Sequence, residues 1–527
     1  MKKIAIAILL TTAFTALVGA QRMGSSSLQK MLNAQYAISN FYVDTVNDDR
    51  LAEEAIKGML ESLDPHSSYT DAKETKELEE PLQGEFSGIG IQFNMKQDTL
   101  YVIQTIVGGP SEKVGIIAGD RIVTVNDTSI AGVKMKNSDI QKRLRGKKGT
   151  KVTVQVKRGN NPELITFRIT RDKIPLYSVD ACYMLDDKTG YLQISRFGAK
   201  THEEMVEGIE KLRKQGMKQL IIDLGNNGGG YLNAAIDMCN EYLQRRQLIV
   251  YTQGNNSPRQ EGNADGFGHY KDLKMVVIVD QFSASASEIF SGAMQDWDRA
   301  VVVGRRTYGK GLVQRPFRFD DGSMMRLTVA RYYTPSGRCI QKDYKHHDAR
   351  YYDDELLERF KHGELYNQDS IRIDKSQVFT TQHGRTVYGG GGIVPDYFVA
   401  RDTSGITKYY VDVENNGLLQ RFAFTYCEKN RKTLEAMSDY KQFLRTTPID
   451  NDIIKGFAEF AAANGIAPRW YYINLSRDLI LTKIKSIIAH DIFGPEGYSF
   501  IVSRNDNIVQ TALRALNHHK AAFPITE

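Results

Sequence analysis

Four cysteines in 527 residues are too few and too scattered for a metal or redox framework. Cys182, Cys239, Cys339 and Cys427 match no zinc or dithiol spacing, so we expect buried thiols. Excess charge is scarce too. The balance of 69 Lys and Arg against 63 Asp and Glu leaves only +6, too weak a field for a nucleic-acid partner. Internal repeats and low-complexity tracts are missing, which sets aside solenoids and arrays. What is present is ordinary: 41% hydrophobic and 25% charged residues exclude a disordered chain and a multi-pass membrane protein. The length implies three or four units.

The first twenty residues carry Lys2 and Lys3, then the apolar run 4–17, then the small-residue end Val18-Gly19-Ala20. That order predicts a signal peptide cut after Ala20, and hence an exported protein, periplasmic or associated with the cell envelope. The run falls short of the ~20 apolar residues of a spanning helix, which counts against a membrane anchor. Gln21 follows the cut, so no cysteine stands there to carry a lipid.

Residues 21–83 read as a helical region. Leu32, Tyr36, Phe41 and Tyr42 fall at helical spacing, and 51–63 repeats the pattern through Ala55, Ile56, Met59 and Leu60 before Asp64-Pro65 ends it. Short alternating strands at 89–93, 100–106, 121–125 and 151–157 predict a β-rich module over 84–174. Beyond it, strands at 190–194, 219–224, 275–280 and 300–303 alternate with helices at 203–214, 231–243 and 285–297. This is the order of an α/β core, here 175–401. Residues 253–269, rich in Gly, Asn and Asp, read as a mobile surface loop. Past 402 the strand signal fades. Leu479, Ile480, Ile484, Ile487 and Ile488 share a helical face, so 402–527 reads as a helical extension.

Three segments of the core carry candidate chemistry. The strand 275–280 turns directly into a helix and places Ser285 at its N-terminus. Free amides and the positive end of the helix dipole there suit a nucleophile whose reaction builds an oxyanion. Ser285-Ala-Ser-Glu288 is equally a capping box, and from this segment alone a plain cap is the simpler reading. The next strand leads to Thr307-Tyr-Gly-Lys-Gly311, where Lys310 lies between two glycines. A lysine serves as general base only where burial lowers its pKa, and flanking glycines allow such close packing. No histidine lies in either segment, so a histidine base would have to come from elsewhere. The glycine turn at 225–230 lacks both the P-loop Lys-Ser/Thr and the dinucleotide fingerprint, so its amides are better suited to an oxyanion.

Eight motifs in order resemble the carboxyl-terminal processing peptidases, or tail-specific proteases. They are LDPHSSY at 63–69, GEFSGIGIQF at 84–93, GGPSEKVGIIAGDRI at 108–122, DLGNNGGG at 223–230, SASASE at 283–288, TYGKGLVQ at 307–314, YYTPSGRCIQ at 332–341 and GGIVPD at 391–396. The resemblance implies an α/β multidomain chain: a crotonase- or ClpP-like protease core, an inserted PDZ domain, an N-terminal helical region and a C-terminal helical extension. It further implies Ser285 as nucleophile, Lys310 as base, Gln314 orienting the lysine amine, and an oxyanion hole from the Ala286 amide with Gly229 or Gly230. Ser87, Gly88, Ile89, Gly90 and Ile91 stand where the PDZ carboxylate-binding loop would lie, for protein or peptide tails with a free C-terminus. Two departures stand out, Gly225 for the family's arginine and Gly228 for its common proline; they bear on the rigidity of that turn.

No cofactor or metal is expected. The extension at 402–527 is a candidate surface for an adaptor or for self-association. Two other readings stay open on sequence: a catalytically inactive PDZ scaffold, and an acyl hydrolase acting on something other than peptides.

Overall fold

The computed structural model describes residues 25–518, apart from positions 97, 107, 118, 160, 345–348 and 447–449, so the expected signal peptide lies outside the described residues. Helix Ser25–Phe41 is solvent-exposed from Ser26 onward, and Asp48–Glu61 follows, capped by the Asn47 side chain on the Arg50 amide. Strand β1 (Ser68–Thr70) and helix Ala72–Gln83 then lead into the β module.

That module comprises β2 (Glu85–Gly88), β3 (Ile91–Lys96), β4 (Thr99–Thr105), β5 (Arg121–Val125), β6 (Thr128–Ser129), β7 (Lys151–Lys157), β8 (Ile165–Thr170) and β9 (Asp172–Pro175). Its sheet runs β3-β4-β5-β7-β8, and β9 returns to pair antiparallel with β2, closing the module where it began. Alternation in β7 buries Val152, Val154 and Val156 on one face, where helix Asn137–Leu144 covers them with Ile140 and Leu144. Strand β3 lies at the edge of this sheet.

The central sheet contains β10 (Val179–Met184), β11 (Thr189–Ile194), β12 (Gln219–Asp223), β15 (Lys274–Val279), β16 (Val301–Gly304) and β21 (Tyr397–Phe398). They lie in that spatial order, parallel except for the β10–β11 pair. Every residue of β12 is buried, as expected of a strand covered on both faces. Helices Thr201–Lys214, Leu232–Asn240 and Ala286–Asp296 cover one face. The other is covered by Pro495–Asn505 and Asn507–His518, which set Phe500, Val509, Ala512 and Leu516 against Ile221, Val276 and Val301. The helical extension is therefore no mere appendage. Its earlier helices, from Lys408–Asn415 to Arg477–Phe493, build a core of their own around Leu419, Phe443, Phe457 and Ile484, while its last two complete the central sandwich.

A second, antiparallel sheet runs β1-β18-β13-β14, with β17 on the other side of β18. It is built from β13 (Leu248–Gly254), β14 (Ser257–Asn263), β17 (Leu312–Arg318) and β18 (Met324–Tyr333). A small ladder of β19 (Val378–Thr380) and β20 (Thr386–Tyr388) completes the strands. The expected loop at 253–269 is largely the β13–β14 hairpin. Its outer strand is polar and mostly exposed, so no apolar alternation marks it, and Arg259 stacks on Tyr251 across the ladder. All four cysteines are unpaired, and Cys339 is half-buried where we expected a buried thiol.

Candidate active site

The turns after β12 and β15 are stitched into one unit. Asp280 Oδ1 accepts from the amides of Asn226 (3.0 Å), Phe282 (2.9 Å) and Ser283 (3.1 Å). The buried Asn227 gives its side-chain nitrogen to Ile194 O, while its carbonyl accepts from the Ala284 amide and from Ser287 Oγ. This framework holds Ser285 at φ 54°, ψ −112°, a conformation rare for a residue with a side chain, at the N-cap of helix Ala286–Asp296. Such strain costs about 1–3 kcal/mol and persists only where surroundings impose it.

Glu288, which the sequence displays as the end of a capping box, does more than cap. Fully buried, it accepts from the amides of Ser285 (2.8 Å), Gly309 (2.7 Å) and Lys310 (2.9 Å) and from Thr307 Oγ1 (2.5 Å). One oxygen, Oε2, takes both the Ser285 and the Lys310 amide, so those nitrogens lie no farther apart than these two bonds allow. Burial raises the pKa of this carboxyl and the four donors oppose that rise. The glycines beside Lys310 are sterically required: a Cβ at Gly311 would stand 2.7 Å from the Gln341 nitrogen, and Gly309 sits at φ 87°.

Burial lowers the pKa of Lys310, reinforced by Arg326 and opposed by Glu288 and Asp64. Among the described residues, no hydrogen bond joins Lys310 Nζ to Ser285 Oγ. Gln314 does not reach Lys310 either; its Nε2 donates to Leu312 O (3.2 Å) and, at a long 3.4 Å, to Thr328 Oγ1. The fold also brings in the motif at 63–69, to which the sequence alone gave no role. His66 is electrostatically coupled to Lys310, and burial chiefly, with that lysine's charge, pushes its pKa down to about 3. A ring held neutral with so low a pKa is a poor proton acceptor at neutral pH.

Gly229 packs against the Ser285 segment: its Cβ would lie 2.6 Å from Ala284 O and 2.9 Å from the Ala286 nitrogen. Its amide already donates to Asn227 Oδ1 (2.9 Å), whereas the amides of Ala286 and Gly230 have no hydrogen-bond partner among the described residues. Gly225 donates to Asp223 Oδ1 (2.7 Å), and a side chain at 225 would start 3.0 Å from that oxygen. Burial lifts the Asp223 pKa to about 6, opposed by hydrogen bonds from Tyr191 and Gly225. At Gly228 an added Cβ would meet open space, so nothing in the packing explains the missing proline.

In the β module, Ser87 and Gly88 belong to β2, and Gly90 turns at φ 74° into the edge strand β3 that begins at Ile91. The amides of Ile89 and Gly90 make no hydrogen bond among the described residues, although the Ile89 and Gly90 carbonyls accept from Ser111 and Ile106. The Ile89 side chain is buried in the module's core, so this residue offers its backbone, and Ile91 is half-buried at the same core. Arg145 lies 4.7 Å from the Phe86 ring centre and pairs with Glu80 at 2.9 Å, a cation beside this loop that the sequence did not single out.

A family model of peptidase family S41 matches residues 188–349, and a PDZ-domain model matches 87–169. The N-terminal domain of the activating protease CtpB matches 13–75, and a family of unknown function matches 409–494. A probable CtpA-like serine protease of Staphylococcus epidermidis is 35% identical over 339 residues, 63% of this chain and 68% of that one. The chain belongs to the CtpA-like serine proteases of peptidase family S41. A Staphylococcus aureus relative is 34% identical over 324 residues, 61% of this chain and 64% of its own. The solved photosystem II D1 C-terminal processing protease is 28% identical, covering 60% of this chain and 91% of that one, at a TM-score of 0.34. This S41 peptidase is thus a serine-type peptidase of the carboxyl-terminal processing class, with an α/β protease domain, a PDZ domain and helical regions at both ends. Among the described residues, no helix is long and apolar enough to cross a membrane.

Proposed function

We propose that this S41 peptidase cleaves polypeptides with Ser285 as nucleophile and Lys310 as general base, after its PDZ domain has engaged a free C-terminal tail. Neutral Lys310 takes the Ser285 Oγ proton as the oxygen attacks the scissile carbonyl carbon. The resulting oxyanion is held by backbone amides, best by Ala286 and Gly230, since that of Gly229 is engaged. The lysine ammonium returns the proton to the departing amine, and water then hydrolyses the acyl-enzyme by the same base. The observation that carries this reading is Glu288 Oε2, which accepts from the backbone of both reacting residues.

Gln314 is assigned the role of orienting the lysine amine once Lys310 and Ser285 engage; its side-chain oxygen has no hydrogen-bond partner among the described residues. In the PDZ domain the open amides of Ile89 and Gly90 suit a terminal carboxylate, and β3 suits an added peptide strand. We assign tail capture to 84–174, cleavage to 175–401, and an adaptor or self-association surface to 402–527. The Lys2–Ala20 pattern favours export. The test is hydrolysis of a long unfolded substrate by the wild type and by Ser285→Ala. We expect turnover in the first only, and retained turnover in the variant would remove the nucleophile assignment.

A further inference from the structure

We propose that the turn Asp64-Pro65-His66-Ser67 is a positioning element for the lysine side of the site, acting through Thr328 to decide which end of the Gln314 amide faces Lys310. The inference rests on the Ser285/Lys310 reading. Asp64 is nearly buried, and its Oδ1 accepts from the amides of His66 and Ser67 and from Thr328 Oγ1, each at 2.9 Å. Ser67 Oγ donates to Asp64 Oδ2 (2.5 Å) and accepts from the Thr328 amide (3.0 Å). Thr328 is therefore gripped through both its backbone and its hydroxyl by a segment far away in sequence, which β1 docks onto β18.

The consequence follows from counting protons. A threonine hydroxyl has one proton to give, and here an acidic oxygen takes it. Thr328 Oγ1 can then only accept, so its cross-strand partner Gln314 must present its NH2 group there, as it does. Leu312 O, a second acceptor, demands the same orientation. With the nitrogen fixed on two acceptors, the amide oxygen is the end left to receive a hydrogen bond from Lys310. Without Asp64, the Thr328 proton would be free to turn toward Gln314 and favour the opposite amide orientation, leaving Leu312 O alone to hold the present one. His66, Arg326 and Glu288 also bear on Lys310 electrostatically.

The test is a double-mutant cycle on kcat with a long unfolded substrate, using Thr328→Val, Thr328→Ser, Gln314→Ala and the Thr328→Val/Gln314→Ala pair, with Lys310→Ala alongside and thermal unfolding of each protein. We expect Thr328→Val to lower kcat by about tenfold with KM little changed, the size of one lost positioning hydrogen bond. Thr328→Ser should restore the rate, and the double variant should be no slower than Gln314→Ala alone. Multiplying losses in the double variant, or a Thr328→Val enzyme at wild-type kcat, would overturn the relay. An active Lys310→Ala would instead overturn the reading of the base.

Discussion

Ser285 and Lys310 meet the same carboxylate oxygen, yet the shells around them differ in kind. On the serine side, Asp280, Asn227 and Glu288 fix consecutive backbone atoms of two strand-to-helix turns, and Ser285 is held in a strained conformation. On the lysine side only the backbone is fixed in this way. The Lys310 amine engages neither Ser285 nor Gln314, and the chain continues into β17, whose outer residues are exposed. One half is pre-organised and the other keeps a side-chain adjustment to make. We expect substrate engagement to supply it through a change of the Lys310 rotamer, while the Gln314 amide stays on Leu312 O and Thr328 Oγ1.

Five variants or substrates break or sharpen this contrast. Lys310→Ala and Ser285→Ala should each cost at least about a thousandfold in kcat with the fold retained, because each removes an atom that the proposed mechanism uses in the reaction. Circular dichroism with single-turnover rates checks this. Glu288→Gln should strike both halves at once. The amide that replaces the carboxylate must turn an NH2 group toward backbone donors, so we expect about a hundredfold loss in kcat and about 1–3 kcal/mol of stability, read by urea unfolding. Amidating the C-terminus of the substrate should lower kcat/KM by about tenfold, through loss of the charge-assisted contact proposed for the PDZ loop. Equal rates for free and amidated tails would confine the PDZ domain to another purpose.

The smallest effect concerns His66. Its folded pKa, about 3, lies below the ordinary 6.5, so as pH falls through 6.5 the unfolded chain takes up a proton that the folded chain refuses. Stability should therefore fall with decreasing pH in that window, by at most about 1.4 kcal/mol per pH unit. His66→Gln should flatten this slope in urea titrations between neutral and mildly acidic pH.

Much of this architecture was legible from periodicity and punctuation. The buried runs at 219–224 and 275–280, and the helix following Ser285, appear where the patterns place them, because a parallel sheet covered on both faces leaves an unbroken apolar signature. The β13–β14 hairpin escaped because its exposed polar edge strand carries no such signal. The covering role of Asn507–His518 escaped because periodicity shows that a helix has an apolar face and never what that face meets. At the site, Ser285 and Lys310 stood out as candidates from local sequence, one after a strand end and one between glycines, although Ser285 alone read more simply as a cap and Ala286 came only from the family resemblance. Asp64, His66 and Thr328 could not: their relation to Gln314 and Lys310 exists only after β1 has docked on β18. Glu288 lay between these cases, visible as a cap but not as the carboxylate shared by both turns.

The claim that Ser285 and Lys310 act as one unit is tested most directly by trapping the acyl-enzyme. A long unfolded substrate is mixed with enzyme, quenched in acid within a turnover, and the digest is examined by mass spectrometry. The account predicts an acyl adduct on the peptide that contains Ser285 in the wild type, and none in Lys310→Ala over the same interval. An adduct on another residue, or equal acylation of Ser285 without Lys310, would contradict it.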